Sequence, residues 1–537
     1  MTPTTAPGAL PAPSRRALTG TLIAGCVAVL VAQLGLVLPA AINGLMQQTL
    51  HTTGSQLTWI TAAFMLPTAI LELTFGVVGD LFGRKRILLG GAAFMVAGGA
   101  LSSTAHTVHV LWAGQALAGI GAAALFPTSL AMVAAFTPTA RSRARGLALW
   151  TASLSAGAVA SPVISGWAGE HGSFRTPFGI LAVLALVSGL ISLWLAADSS
   201  SPRGRALDWP GQISIALSLF ALLYAVIQGT ADGFGSADVV TGFVIAAALF
   251  AAFLRIESRA ASPMLHLNLF RVPAFSAAAV VALVGMMGFL GFAYTLSIRL
   301  GAIQHQSPLR SAIPFVVMHG ITPVFGIGLA ALLRRISPRI LLVVGFAAMA
   351  AGQFWLAALP ITDTSLTTLL GVLILVGVGF GLAVGGLTAA AVNVVPLRLA
   401  GMASATTSLM REAGQTLGPA IISAVALGQS AAVLGGRLAS AGLPPAALGA
   451  ANAVAKEGGP LAVASVPFGP AEPKILPVVQ SALAHGFGIG LVVCGCASLV
   501  SLLVAGFFIR MRGGALETGD GAVQHESDAA NPVAAAG

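Results

Sequence analysis

Only 8% of the residues are charged, so charges inside or beside long apolar runs carry the most chemical information. The densest group is Gly76-Val-Val-Gly-Asp80-Leu-Phe-Gly83-Arg84-Lys85-Arg86, between apolar runs at roughly 55–79 and 87–105. Glycine lets helix ends and loop backbone approach a neighbour closely. Asp80 beside Arg84, Lys85 and Arg86 supplies charge-assisted pairing. A basic triplet alone reads as a loop that sets membrane orientation; the Gly/Asp/Gly/Arg spacing argues for a built turn. Glu72, Arg411 and Glu412 stand inside apolar segments. An ionisable group there costs about 2.5–3.5 kcal/mol on insertion scales, which makes each a functional candidate. Thr68, Glu72, Gly76 and Asp80 form one i, i+4 stripe, so Glu72 lies roughly 12 Å from the charged end of its helix. His319, near the middle of its run, is another titratable candidate. His485 stands at a helix start and reads as interfacial.

The rest of the composition says what positions these groups. The chain has 537 residues, 57% of them hydrophobic, and a mean hydropathy of +0.93. Soluble domains run near 25% charged, so the expected class is an all-α polytopic membrane protein. An outer-membrane barrel would show weak alternating segments instead. The formal charge of +10 does not indicate nucleic acid, because the excess is arginine scattered over short loops and no basic domain carries a binding face. Cys26, Cys494 and Cys496 all lie in apolar runs and read as small core residues, with neither a disulfide framework nor a metal set. No phosphate-binding loop, nucleophile triad or metal-ligand set appears, and Gly119-Ile-Gly121 lies inside a helix where it cannot cradle phosphate. No enzyme activity and no cofactor are expected.

Runs long enough to cross a ~30 Å hydrocarbon core fall at about 17–44, 55–79, 86–105, 109–135, 145–168, 175–197, 209–229, 238–256, 274–299, 309–333, 338–359, 366–392, 399–428 and 483–509. Arg15 and Arg16 before the first run give it a signal-like start, but its length and the lack of a small-residue cleavage site predict an uncleaved first transmembrane helix. With the N-terminus in the cytoplasm, the inner loops hold Arg84, Lys85, Arg86, Arg141, Arg143, Arg145, Arg203, Arg205, Arg255, Arg259, Arg271, Arg334, Arg335, Arg339 and Arg398, and the outer loops at 45–54, 106–108 and 360–365 hold no lysine or arginine. This satisfies the positive-inside rule and puts both termini in the cytoplasm. The Ala/Gly/Pro-rich segment 429–482 is expected to be an amphipathic hairpin over the outer mouth or a mobile loop. Residues 511–537 have the composition of disorder. The resulting organisation is a tail at 1–16, a six-helix bundle at 17–197, two linker helices within 198–273, and a second six-helix bundle at 274–510.

Several stretches resemble one family. Residues 76–86 closely resemble the loop signature G-x-x-x-D-x-x-G-R-[KR]-[KR] of the major facilitator superfamily, where the loop latches the two halves on the cytoplasmic side. Gly157-Ala-Val-Ala-Ser161-Pro162-Val-Ile-Ser165-Gly166 resembles the helix 5 motif of its antiporters, G-x-x-x-G-P-x-x-G-G, with serine at 161 and 165; ordinary small-residue packing is the plainer reading. Leu111 to Gly121 is similar to the helix 4 pattern, with Gln115 where relatives carry arginine, and Val37-Leu38-Pro39 aligns with a helix 1 motif whose aspartate falls at Leu30. Those two charges are missing, so the proton-coupling and cation-recognition roles they carry in relatives do not transfer. Leu207-Asp208-Trp209-Pro-Gly211, Ser262-Pro263 to Arg271, and Gly401 to Gly418 resemble the fourteen-helix drug:proton antiporter branch.

The resemblance implies a major facilitator fold of fourteen transmembrane helices, two six-helix bundles plus two central helices. It also implies export of lipophilic or amphipathic small molecules in exchange for protons, by a monomer in the bacterial cytoplasmic membrane. In that fold helices 2 and 13 face each other across the halves, which brings Glu72 within reach of Arg411. The expected contact forms in one access state and breaks in the other, with Glu72 or Glu412 binding a proton when it opens. A permanent structural pair is the alternative. Gln33, Gln115, Phe64, Phe292, Tyr294 and Asn393 are candidates for lining a substrate cavity, although Gln33 and Asn393 suit contact with a neighbouring helix better. Trp59, Trp150, Trp167 and Trp355 fit a cavity or an interfacial belt equally well. A uniporter, a symporter, or a non-transporting sensor or scaffold on the same fold remain the rival readings.

Overall fold

The computed structural model describes residues 15–137, 139–200, 208–260, 263, 265, 267–332, 336–395 and 400–509. Sixteen α-helices run in chain order: α1 (Arg15–Val37), α2 (Asn43–Leu50), α3 (Gly54–Phe82), α4 (Arg84–Ser103), α5 (Val108–Ala135), α6 (Ala140–His171), α7 (Arg175–Leu195) and α8 (Trp209–Asp232). They continue as α9 (Ala237–Glu257), α10 (Pro273–Ile298), α11 (Pro308–Leu332), α12 (Pro338–Ala358), α13 (Leu366–Asn393), α14 (Ala400–Ser440), α15 (Pro445–Ser465) and α16 (Glu472–Phe508). No strand occurs among the described residues. Thirteen of the helices are long and apolar enough to cross a membrane, and α11, at 25 residues, has the length of a fourteenth.

Local chemistry sets the boundaries. Thr53 caps α3 in a reciprocal box with Gln56, and Thr139 caps α6 in the same way with Ser142, which satisfies amide groups that the first turn of a helix leaves without partners. The Asp208-Trp209-Pro210-Gly211 stretch is an N-cap: the Asp208 carboxylate accepts from the Gly211 amide and Pro210 sits in the first turn of α8. Gly83, at φ 103°, separates α3 from α4, a left-handed backbone that favours glycine.

The helices pack around two cores, the first of which reaches across the seam to Tyr294, Ile298, Ala426 and Leu483. One core is built from Leu34, Phe64, Met95, Leu125 and Phe178, contributed by α1, α3, α4, α5 and α7. The other is built from Phe289, Phe315, Phe346, Val376 and Leu491, contributed by α10, α11, α12, α13 and α16. The extra pair α8 and α9 sits at the seam: Leu223, Val226 and Ile227 of α8 pack on Ala62 and Leu66 of α3 and on Ala420 and Ala424 of α14.

The segment 429–482 is helical and packed, so of the two expectations the hairpin form is the one observed. The 41 residues of α14 extend roughly 60 Å, about twice the hydrocarbon core, and α16 begins at Glu472. Between these overruns lies α15, bent at Gly459 (φ 74°). Its Leu461 and Val463 join Leu434, Leu438 and Val479 in the core that also holds Ile42, Met46 and Leu57. The tail at 511–537, residues 1–14, and the Arg334-Arg335 and Arg398 positions lie outside the described residues.

Candidate functional site

The turn at 76–86 is built within the first half. The Arg84 guanidinium meets the Asp80 carboxylate at 2.7 Å and reaches toward the Ala131 carbonyl of α5 at 3.4 Å. A carboxylate absent from the motif completes it. Asp198, just past α7, accepts from the Lys85 amide at 3.3 Å, and its oxygens stand 3.1 Å from where a Cβ on Gly83 would fall. The Arg84 amide donates to the Ser199 carbonyl at 2.9 Å. Gly76 faces Pro127 with room to spare, and Arg86 is exposed. Among the described residues, every hydrogen bond of this turn stays inside the first half.

At the seam, Arg411 and Glu412 of α14 form an ion pair of 2.9 Å, with the arginine Nε also donating to the same carboxylate oxygen at 3.2 Å. The expected Glu72–Arg411 bond is not made in this arrangement: the adjacent carboxylate takes the guanidinium first. Glu72 remains partly exposed, interacts electrostatically with both Glu412 and Arg411 across the seam, and has no hydrogen bond to a described residue. A cavity of about 10 Å³ beside the pair is lined by Ser404, Thr407, Ser408 and Arg411, about the space of one water molecule.

His319 of α11 meets the Phe289 ring edge-on, with centroids 6.4 Å apart, and Phe289 stacks face to face on Phe380 at 3.9 Å. This aromatic group lies close to the seam, because a Cβ added at the neighbouring Gly320 would find Val159 of α6 at 4.0 Å. Sequence reasoning found His319 but missed Phe289 and Phe380, which carry no signal in an apolar chain rich in phenylalanine.

The cavity candidates are dispersed. Gln115 is buried between α4 and α5, where it donates to Ser102 at 3.3 Å, so it faces a neighbouring helix. Phe64 and Phe292 are fully buried in the two cores and line nothing. Gln33 is partly exposed, beside the contact of Gly157 with α1. The Asn393 side chain lies outside the described residues. Tyr294 has a different role: its hydroxyl lies 2.9 Å from Thr58 Oγ1, which also meets Ser423 at 2.7 Å. Because Thr58 gives its own proton to the Gly54 carbonyl, Tyr294 and Ser423 donate to it, and the three tie α3 to α10 and α14. Trp167 and Trp355 are exposed on the outside of the bundle, as an interfacial belt requires, while Trp150 donates to Ser129.

The Tyr294 bond is one of a set. Asn43 donates to Ser297 at 2.8 Å, Gln48 meets His305 at 3.3 Å, the Leu309 amide donates to Glu170 at 3.3 Å, and Gly44 lies directly on the Gly301 backbone. Deeper in, Thr416 reaches the Met65 carbonyl at 3.5 Å. All of these lie between that level and the α2 end. Among the described residues, no hydrogen bond joins the halves on the Asp80 side. Among the described residues, the hydrogen bonds that close the two bundles against each other lie toward the α2 end.

The antiporter-like stretch on α6 serves this closure. Gly157 lies against the Leu30 carbonyl of α1, and Ser161 donates to the Leu34 carbonyl at 2.7 Å. Beyond Pro162, inside the helix, Gly166 meets Pro308 and Ala312 of α11 in the other half.

Two packed bundles of membrane-length helices, with charges at their seam, define a multi-pass membrane transporter. Residues 23–419 match the Major Facilitator Superfamily, and the chain belongs to that family. It is 28% identical over 497 residues to the tetracenomycin C resistance and export protein of Streptomyces glaucescens, covering 91% of each chain. It is 28% identical to the multidrug resistance protein Stp of Mycobacterium tuberculosis, over 69% of this chain and 68% of that one. It is 27% identical to the multidrug efflux pump LfrA of Mycolicibacterium smegmatis, over 68% and 72%. Its fold is similar to that of a bacterial homologue of the human lysosomal transporter Spinster in an inward-facing, unoccupied conformation (TM-score 0.61, 14% identity, 94% of this chain and 100% of that one). It is also similar to an auto-inhibited POT family peptide transporter (TM-score 0.62, 14% identity, 92% and 98%).

Proposed function

We propose that this protein exports lipophilic or amphipathic small molecules of the drug or antibiotic class, exchanging them for protons by alternating access. The observation that carries the reading is that Glu72 of α3 lies within electrostatic range of the Arg411–Glu412 pair of α14, across the seam. These are acidic groups of opposite halves, so the distance between them changes when the bundles rock. With the halves closed at the α2 end, Arg411 is held by Glu412 and Glu72 is left to exchange a proton. For antiport, Glu72 takes up its proton in the state open to the outside and gives it up to the cytoplasm in the state closed at the α2 end. The relatives named as resistance and export proteins support the substrate class. Phe380 and His319, both partly exposed around the buried Phe289, offer an aromatic ring and a polar edge to a flat, apolar molecule.

The arginine-rich loops support a cytoplasmic location for both termini, which makes the closed α2 end the outer one and this state inward-facing. The uncharged Leu30 and Gln115 favour a second reading, transport without the proton path that relatives build at those positions. Everted vesicles carrying a known proton gradient separate the two. Drug-dependent proton release that Glu72→Gln abolishes supports antiport. Drug accumulation with no proton movement in the wild type overturns it.

A further inference from the structure

A groove of about 570 Å³ runs down the outside of the first half between α4 and α7, lined by Ser103, Arg175, Thr176, Gly179, Val183 and Leu184. We infer that it binds one anionic phospholipid, with the phosphate at Arg175 and an acyl chain laid over Gly179 toward Val183.

The groove exists because α4 and α7 touch at one level and part at another. Gly99 of α4 is pressed so closely on α7 that a Cβ there would lie 2.9 Å from the Ala182 amide nitrogen. One turn nearer the α4–α5 turn, a Cβ on Gly179 would meet only the Ser103 Cβ, at 3.7 Å. The missing side chain at 179 leaves a notch open to the bilayer. Below it, Val183, Leu186, Val187 and Leu190 are exposed along α7, an apolar track in the direction an acyl chain takes.

Arg175 marks the mouth. It opens α7, so it sits at the end of a membrane-spanning helix, where lipid phosphates lie. Its guanidinium is fixed from three sides. Nε donates to the Ala105 carbonyl at 2.6 Å, one terminal nitrogen lies 3.2 Å from His106 Nδ1, and the group stands 4.9 Å over the Phe174 ring. The second terminal nitrogen has no hydrogen bond to a described residue, and no acidic side chain among them pairs with this arginine. A pre-oriented guanidinium with spare donors suits a phosphate diester. Thr176 Oγ1 accepts from the Ser173 amide, which leaves its hydroxyl proton to donate to the same group. The groove offers no carboxylate to receive an ammonium, so an anionic headgroup fits and a zwitterionic one does not.

The test is native mass spectrometry of the full-length, delipidated protein with phosphatidylglycerol, phosphatidylcholine or free glycerol phosphate added. The wild type is expected to hold one phosphatidylglycerol, roughly tenfold tighter than phosphatidylcholine. Arg175→Gln should bring the two lipids to equal affinity. Because Arg175 also holds the α4–α5 turn, Gly179→Leu is the independent variant: its Cβ has room, its side chain fills the notch, and binding of phosphatidylglycerol should fall to a similar degree. Equal binding of both lipids by the wild type overturns the proposal. So does phosphatidylglycerol binding that Gly179→Leu leaves unchanged, or free glycerol phosphate binding as tightly as the lipid.

Discussion

Gly44 of α2 and Gly301, in the π-turn that ends α10, put backbone directly on backbone across the two halves. A Cβ on Gly44 would lie 2.3 Å from the Gly301 carbonyl carbon and oxygen, and side chains meet at 3.4 Å or more in ordinary contact. Gly44→Ala therefore forces the two segments apart by about 1 Å, a shift that backbone on both sides resists. Separation also strains the Asn43–Ser297 bond beside it, 2.8 Å long. Overpacking of this kind costs about 1–3 kcal/mol, and the cost falls only on the state closed at the α2 end. The equilibrium between access states should shift roughly 5- to 150-fold toward the open one. Spin labels on exposed Thr104 and Thr362, one in each half near the α2 end, would report the distance in protein whose three cysteines have been replaced. The expected result is a new, longer component in the distance distribution, with unchanged helical content. An unchanged distribution in the folded variant would refute the assignment of Gly44 and Gly301 to a gate.

Tyr294→Phe removes one of the two hydroxyls that donate to Thr58 and should cost the closed state about 1 kcal/mol; the same label pair should show a smaller shift than Gly44→Ala, and no shift would disprove the role. Asp198→Ala takes away the acceptor for the Lys85 amide and should lower the melting temperature, with Asp198→Asn recovering part of the loss; equal melting of all three proteins would exclude Asp198 as the anchor of the turn. Burial lowers the pKa of His305 from its usual 6.5, so the closed state holds it neutral beside Gln48. Closure is then fully stable above about pH 6.5 and weakens as pH falls toward the lowered value. The label distance should lengthen on acidification in the wild type and much less in His305→Asn, a residue that also tolerates the left-handed backbone at φ 49°; identical pH responses would exclude His305.

Most of the helices were legible in the sequence because the bilayer imposes length and hydropathy together. The run at 109–135 became Val108–Ala135, and that at 338–359 became Pro338–Ala358. Asp80 and Arg84 were legible as a pair because one helical turn separates them. Asp198 was not, since its contact with the turn crosses more than a hundred residues and no periodicity marks it. The stretch 445–465 resisted reading because Pro444-Pro445 and Gly458-Gly459-Pro460 look like loop punctuation. In the structure the first prolines start α15 and the second group bends it, uses that both residue types allow. Arg411 was assigned a partner across the seam on the strength of fold geometry. The nearer carboxylate of Glu412 holds it in the structure, and sequence spacing alone does not rank an adjacent carboxylate against one on another helix.

The small residues of α6 show why a packing motif and a transport motif look alike in sequence. Gly157 and Ser161 fix α6 to α1 of its own half, through the Leu30 and Leu34 carbonyls. Gly166 and Gly169, past Pro162, place the same helix against Pro308 and Ala312 of α11. One face is thus bonded within a bundle, and the other meets its partner through van der Waals contacts with the Leu309 amide–Glu170 hydrogen bond at their end. The charges at the seam follow the same division. Arg411 and Glu412 are paired within one half, and Glu72 approaches from the other without a bond. The ion pair lies within one bundle, and the hydrogen bonds that join the bundles among the described residues are gathered toward the α2 end, a distribution that suits separation of the halves from the other end.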